Sequence, residues 1–154
     1  MVTRGSVSLC VAMALALAVV ALPAAAPAQD HANPSLYQRL GGYDAVAAVV
    51  DDFIGRLLGD PDFARFFSGF ATDSKQRIRQ HLVDQICAAT GGPCVYMGRD
   101  MKTSHTGLGI TEHDWTRAVA HLVAALDKYK VPHKEKDELL AIVSSVKGDI
   151  VEKP

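Results

Sequence analysis

The sequence predicts an all-α domain, and three features of its 154 residues lead to that prediction. Apolar residues recur every three or four positions through several long segments, which is the period of an amphipathic helix. Turn-forming residues separate these segments, for example Gly91-Gly92-Pro93 and Val131-Pro132, and such residues end helices. The one short aromatic-rich stretch, Asp62–Phe67, lacks the clean alternation that is typical of a strand. We therefore expect helices joined by short glycine and proline turns.

The first 28 residues are typical of a secretory signal peptide. Arg4 is their only charged residue, an apolar run follows it, and Ala26-Pro27-Ala28 fits an A-x-A cleavage site. The alternative is an uncleaved membrane anchor, because Val7 to Ala26 approaches the length that spans a bilayer. We expect cleavage, then a linker over residues 29–35 and one domain over residues 36–154. The mature protein would be periplasmic or secreted, without stable membrane association.

The first half of the mature chain is expected to hold a helical turn and two helices. Ser35 opens the turn, and Gly41-Gly42 ends it. A helix then begins at Asp44 and ends at Gly59 and Pro61, and another runs from about Ser74 to Ala89. The apolar face of the first of these helices consists of Val46, Val50, Phe53, Ile54, Leu57 and Leu58.

Two further helices follow in the second half. Thr111-Glu-His-Asp114 resembles a capping box, which predicts a helix from Thr111 to about Tyr129. After Val131-Pro132, one last helix is expected to run as far as Ile150. The apolar faces of these helices consist of Trp115, Val119, Leu122 and Leu126, and of Leu139, Ile142, Val143, Val146 and Ile150.

Two cysteines, Cys87 and Cys94, remain once the leader with Cys10 is removed. An oxidising compartment favours a disulfide between them, and the intervening glycines and proline allow the chain to turn back. Closing so short a loop contributes about 2–3 kcal/mol in the chain-entropy model. Two free thiols are the alternative, whereas a metal site is disfavoured because no second cysteine pair accompanies them.

Composition and motifs exclude several functions. The net charge of −1 disfavours nucleic acid as a partner, since phosphate binding needs a basic excess. No glycine-rich phosphate loop and no G-x-S-x-G motif is present. Of the six histidines, His81 and His105 stand out. His105 has apolar partners in Met101, Leu108 and Ile110. His81 shares a helix flank with Ile78 and Gln85, and a solvated position beside Arg77 and Asp84 is the alternative. We expect the other four to be solvated: His31, His113, His121 and His133.

His105 belongs to the segment Met101-Lys-Thr-Ser-His-Thr-Gly-Leu-Gly-Ile110, and with this segment the sequence resembles a known family. The same likeness includes Tyr37–Gly42, Asp52-Phe53, Phe66–Gly69, the Gly91-Gly92-Pro93 turn and Trp115. Together these motifs resemble those of the group I truncated haemoglobins from Leu36 to about Val151. The resemblance implies a truncated globin fold, in which a two-over-two helical sandwich encloses haem.

The resemblance also implies the parts of a haem site. By position His105 matches the proximal iron ligand, and Phe67 matches the phenylalanine that packs on the porphyrin. The expected cofactor is haem b (iron protoporphyrin IX), held between helices by apolar side chains. Lys75, Arg79 and Lys102 are candidates for the propionates. The apolar residues expected to line the haem are Phe53, Ile54, Ile78, Leu82 and Ile86, with Met101 and Ile110 beside His105.

The distal side departs from the family pattern. Many members place a tyrosine, which holds bound oxygen, where this chain has Ile54. The positions often taken by glutamine fall on Ile78 and Leu82, when counted back from Gly91. Tight oxygen storage and nitric oxide dioxygenation are therefore disfavoured, because each lost hydrogen bond removes about 1 kcal/mol. The stretch from Phe70 to Arg77 is longer than in many relatives, so Gln80 or Gln85 in a shifted register remains an alternative donor.

Two functions remain open from the sequence. One is a haem protein that binds a diatomic gas (oxygen, nitric oxide or carbon monoxide), with a reductase as a further partner. The other is a bis-histidine haem protein for periplasmic redox or electron transfer. In some members of the family a histidine at the position of His81 ligates the iron, and neutral imidazole is a good iron ligand. The sequence assigns no catalytic residue and decides neither enzymatic activity nor oligomeric state.

Overall fold

The computed structural model describes residues 33–153, and these residues are helical with short connections. The all-α prediction is confirmed. The proposed signal peptide and most of the linker lie outside the described residues. Within 33–153, no helix is long and apolar enough to cross a membrane.

Eight α-helices and one 3₁₀ turn follow each other along the described chain. The first four helices are α1 (Leu36–Arg39), α2 (Gly42–Gly59), α3 (Ala64–Phe67) and α4 (Thr72–Ala89), with the 3₁₀ turn at Pro61–Phe63 before α3. The last four are α5 (Met101–His105), α6 (Glu112–Lys128), α7 (His133–Ser145) and α8 (Lys147–Ile150).

The central helix of the core is α2, which packs against both α4 and α6. Each of four helices contributes a side chain that is at most 2% exposed: Val50 from α2, Val83 from α4, Leu126 from α6 and Leu139 from α7. The apolar spacing predicts Val50, Leu126 and Leu139 on the core faces of their helices, because residues three or four apart share one face, whereas Val83 is not among the predicted residues. Burying each such side chain contributes about 1.5–3 kcal/mol.

Local capping signals place the helix ends close to the predicted positions. Ser35 and Gln38 form a capping box at the start of α1. Thr111 and Asp114 form the predicted capping box of α6, in which the Asp114 amide donates to Thr111 Oγ1 at 3.1 Å. Side-chain caps of this kind contribute about 1 kcal/mol each.

The prediction of one continuous last helix is wrong. The helix stops at Ser145, and the short helix α8 follows after Val146. Val146 has φ −99° and ψ 5°, which takes the backbone out of the helical path. The change of direction allows α8 to pack against α5 as well as α7.

The predicted disulfide joins Cys87, at the end of α4, to Cys94. Cys87 is fully buried, and its carbonyl accepts a hydrogen bond from the Gly92 amide at 2.8 Å. A Cβ atom at Gly92 would lie 2.7 Å from both Cys87 Sγ and the Tyr37 ring, so only glycine fits there. The disulfide therefore closes a tight loop that leads the chain from α4 towards α5.

Candidate haem site

The helix α5 presents His105, and its first residues are fixed by a side-chain cap. Asp100 accepts hydrogen bonds from the Thr103 amide at 2.7 Å and from Thr103 Oγ1 at 2.9 Å. These bonds start the helix, and they also lower the pKa of Asp100. Because α5 has only five residues, this cap and its tertiary contacts, more than its own hydrogen bonds, keep it helical.

The imidazole of His105 is half-buried and makes one defined hydrogen bond. Its Nδ1 lies 2.8 Å from the Met101 carbonyl oxygen, which can only accept, so Nδ1 carries the proton. In the neutral ring, this leaves the lone pair on Nε2. A neutral imidazole with this tautomer is the form that binds a metal through Nε2, and the carbonyl orients the ring.

The backbone turns away immediately after His105. Gly107 and Gly109 have φ values of +86° and +64°, in the left-handed region that favours glycine. Glycine at both positions thus has a direct conformational reason. Glu152 accepts hydrogen bonds from both of their amides, and these bonds lower the pKa of its carboxyl group.

The candidates on the other side lie on α2, α3 and α4, which pack together through α2. Phe53, Ile54 and Leu82 are half-buried and pack against the main core. Phe67 is half-buried on α3 and lies edge-on to Phe70, with 6.4 Å between the ring centroids. The packing of α2 on α3 and α4 therefore brings the helices that carry these four candidates together.

The three remaining isoleucine candidates differ from one another in their burial. Ile78 is exposed on α4. Ile86 is buried in the core, where it lines an apolar cavity of about 140 Å³ together with Leu126 and other core residues. Ile110 is half-buried, and its carbonyl accepts from the amides of Glu152 and Lys153.

Several large apolar side chains remain exposed beside α4 and α5. Phe70 lies two residues before α4, Val95 and Met97 precede α5, and Leu108 follows α5; Met97 is 81% exposed. These exposed apolar side chains in the segments that flank α4 and α5, and the free Nε2 of His105 on α5, are of the chemical type that a flat apolar cofactor with one nitrogen ligand requires, as haem does.

The polar candidates differ in whether their side chains already form hydrogen bonds or ion pairs. The Arg79 guanidinium pairs with Asp51, at 2.7 and 2.9 Å, whereas Lys102 is exposed. Gln80 donates to both Tyr43 and Asp84, at 2.9 and 2.8 Å. The amide of Gln80 is thus occupied by one partner on α2 and one on α4.

His81 is exposed on α4 and lies edge-on to Tyr96, with 6.0 Å between the ring centroids. Tyr96 in turn donates from its hydroxyl to the Arg99 carbonyl at 2.6 Å. An edge-on aromatic contact contributes only about 0.5–1.5 kcal/mol. Such a contact is weak enough for His81 to exchange it for another partner.

The expectation that His121 is solvated is wrong. Its Nε2 lies 2.7 Å from Oδ2 of Asp60, which also accepts from Arg117 at 2.6 Å. The hydrogen bond with His121, then that from Arg117, lower the pKa of the buried Asp60 to about 2. A second pair, Arg65 with Asp114 at 2.6 Å, joins α3 to α6. These contacts hold the segment that carries Phe67, and they join residues too distant in sequence for helical spacing to reveal.

Comparison with known proteins identifies the family of the chain. Residues 35–152 match the bacterial-like globin family. The group 1 truncated haemoglobin GlbN of Mycolicibacterium paratuberculosis is 35% identical over 75% of this chain and 83% of that protein. The group 1 truncated haemoglobin LI410 of Chlamydomonas moewusii is 34% identical over 88% of this chain and 80% of that protein.

Solved structures show the same fold. The 2/2 haemoglobin of Synechococcus sp. PCC 7002, in the cyanomet state with covalently attached haem, is 31% identical, with a TM-score of 0.69 over 77% of this chain and 98% of that one. THB1 of Chlamydomonas reinhardtii is 32% identical, with a TM-score of 0.65 over 79% and 99%. The predicted two-over-two fold is confirmed. The chain belongs to the bacterial-like globin family, and this membership implies haem-based ligand binding.

Proposed function

We propose that this globin holds haem b through Nε2 of His105 and binds a diatomic gas on the opposite face of the haem. The observation that carries the proposal is the 2.8 Å hydrogen bond between His105 Nδ1 and the Met101 carbonyl. It fixes the tautomer that a metal ligand requires and leaves Nε2 available. When bound, haem supplies an iron centre that binds oxygen, nitric oxide or carbon monoxide reversibly.

The residues proposed around the haem are those described above. Phe67, Phe53 and Ile54 supply apolar contacts from α2 and α3. Leu82, Ile78 and Ile86 supply them from α4, and Met101 and Ile110 flank His105. The exposed Lys102 is free to pair with a propionate, whereas Arg79 would first have to leave Asp51.

The distal side favours gas binding without strong hydrogen bonding. Ile54 offers no donor, and Gln80 is engaged with Tyr43 and Asp84. A charged or polar ligand gains about 1 kcal/mol or more from each hydrogen bond that it receives. Gln85, half-buried on α4, is the remaining glutamine that could serve as a donor. We therefore propose weaker oxygen retention than a tyrosine at position 54 would give, and Ile54→Tyr should slow oxygen release.

Haem titration tests the proposed ligand. Purified wild-type chain should bind one haem, whereas His105→Ala should lose or strongly weaken the native ferrous spectrum. His113→Ala is the matched control, because His113 is exposed near the start of α6. An unchanged ferrous spectrum in His105→Ala would overturn the proposal.

A second candidate function is that of a bis-histidine redox protein, in which His81 ligates the iron when no gas is present. The weak edge-on contact of His81 with Tyr96 favours it, since that contact gives little resistance to movement of the imidazole. The ferrous, gas-free wild type should then show a sharp, split low-spin spectrum that becomes broad and high-spin in His81→Ala. A five-coordinate wild-type spectrum would reject this alternative and leave an apolar gas pocket.

We also propose that the domain acts after export, in the periplasm or outside the cell, where a reductase would return the iron to the ferrous state. The disulfide between Cys87 and Cys94 supports an oxidising location, because such bonds rarely persist in the cytosol. The mass of the isolated protein tests the proposal: it should correspond to a chain that begins near Gln29. A mass that still includes Met1 would contradict cleavage.

A further inference from the structure

Glu152, near the end of the chain, binds the turn that follows His105. Its Oε1 accepts a hydrogen bond from the Gly107 amide at 2.6 Å, and its Oε2 accepts one from the Gly109 amide at 2.5 Å. One carboxylate therefore holds two backbone amides of the same turn. Hydrogen bonds to an ionised carboxylate are about twice as strong as those between neutral groups.

The backbone around Glu152 is fastened to the same region. The Glu152 amide donates to the Ile110 carbonyl at 2.8 Å, and the Lys153 carbonyl accepts from the Glu112 amide at 3.2 Å. In addition, α8, which directly precedes this segment, packs against α5. The position of the Glu152 carboxylate is thus fixed relative to α5 by contacts independent of its own side-chain bonds.

The turn needs such a partner because of its composition. Gly107 and Gly109 both adopt left-handed backbone conformations, and glycine loses more conformational freedom on ordering than any other residue. The turn is also joined directly to His105, whose carbonyl accepts from the Leu108 amide at 3.1 Å. Any loosening of the turn is therefore transmitted to the backbone that carries the imidazole. The carboxylate is bonded to a turn that begins two residues after His105, so its negative charge is held near the proposed iron ligand.

We propose that Glu152 is a positioning residue for the haem site, an inference that rests on the proposed ligation of iron by His105. Its carboxylate fixes the Gly107–Gly109 turn, and so the direction of the His105 imidazole. Its negative charge favours the ferric over the ferrous iron and lowers the reduction potential of the haem. A residue that only fixed the turn would orient the imidazole but would not lower the reduction potential.

The test compares Glu152→Gln with Asp149→Asn in the full mature chain loaded with haem. Glu152→Gln keeps the size of the side chain and removes its charge. Asp149→Asn removes one charge from the exposed surface of α8, where Asp149 carries no hydrogen bond of the turn. Glu152→Gln should raise the ferric/ferrous midpoint potential at constant pH, relative to wild type and to Asp149→Asn. Amide exchange at Gly107 and Gly109 should become about tenfold faster, as expected for the loss of a charge-assisted hydrogen bond.

Amide exchange tests whether Glu152 fixes the turn, and the midpoint potential tests whether its charge acts on the haem. Unchanged amide exchange in Glu152→Gln would overturn the clamp, and faster exchange with an unchanged potential would reduce Glu152 to a structural role and overturn the proposal. Glu152→Asp, which keeps the charge on a shorter side chain, should retain most of the wild-type potential. If wild type itself failed to bind haem through His105, the proposed function would fail, and amide exchange in the haem-free chain would still decide the clamp.

Discussion

Breaking the Cys87–Cys94 bond should lower the stability of the domain by an amount that follows from the loop it closes. The two cysteines are seven positions apart. For a loop of that size, the chain-entropy model gives a contribution of about 2.5 kcal/mol to the free energy of unfolding. The unfolding entropy of a domain of this length is about 0.25 kcal/mol/K, so the melting temperature should fall by about 10 °C.

The variant for this test is Cys94→Ser, because Cys94 is half-buried whereas Cys87 is fully buried. Replacing Cys94 removes the bond with little loss of packing. Melting of the haem-free chain, followed by circular dichroism, measures the change without the added stability that a bound ligand confers. The reduced wild type should melt at the same temperature as Cys94→Ser, and reductant should not change the melting temperature of Cys94→Ser.

Equal melting temperatures for oxidised wild type, reduced wild type and Cys94→Ser would refute this reasoning. That result would mean that the neighbouring contacts, in which Gly92 packs against Cys87 and Tyr37, already restrict the loop without the bond. A loss far above about 2.5 kcal/mol would instead show that the reduced chain loses packing around Cys87.

Three further predictions concern the core, the ion pairs and the loop. Leu126→Ala should destabilise the domain by about 2–5 kcal/mol in urea unfolding, because the side chain is fully buried; a loss below 1 kcal/mol would contradict this. Asp60 has a pKa lowered to about 2, so its stabilisation is complete above about pH 4 and disappears as the pH falls towards 2. Between pH 5 and pH 2, the free energy of unfolding should therefore depend less on pH in Asp60→Asn than in the wild type. An equal pH dependence in the two proteins would contradict this prediction. Gly92→Ala should lower the melting temperature, since its Cβ would overlap Cys87 and Tyr37, whereas Gly55→Ala, with no atom near its Cβ position, should not lower it.

Local signals in the sequence were sufficient for most of the fold. The capping box of Thr111 and Asp114, with the apolar spacing that follows it, predicts α6 to within a residue. The turn residues between Cys87 and Cys94 make the disulfide predictable as well. Both features depend on residues close together in the chain, where geometry follows directly from spacing.

Contacts between distant segments could not be predicted in this way. Helical spacing carries no information about Asp60, which lies 61 positions from His121 and binds its imidazole. Glu152 lies 45 positions from Gly107, and nothing in its local sequence distinguishes it from a solvated residue. The contact of α8 with α5, which follows the end of α7 at Ser145, likewise joins distant segments.

The candidate site was predictable to a similar extent. Motif resemblance selected His105, and the hydrogen bond of its Nδ1 with Met101 supplies the physical reason why Nε2 is free. The occupied amide of Gln80 and the contact of His81 with Tyr96 required the structure, because both depend on how α4 packs against its neighbours.

The ligation of iron by His105 is the central claim, and cavity complementation tests it most directly. His105→Gly removes the imidazole and leaves a space for a free one. Resonance Raman spectra of the ferrous proteins, recorded after photolysis of bound carbon monoxide, should show an iron–histidine stretch in the wild type, none in His105→Gly, and its return when imidazole is added. An iron–histidine stretch that persists unchanged in His105→Gly without imidazole would contradict the account.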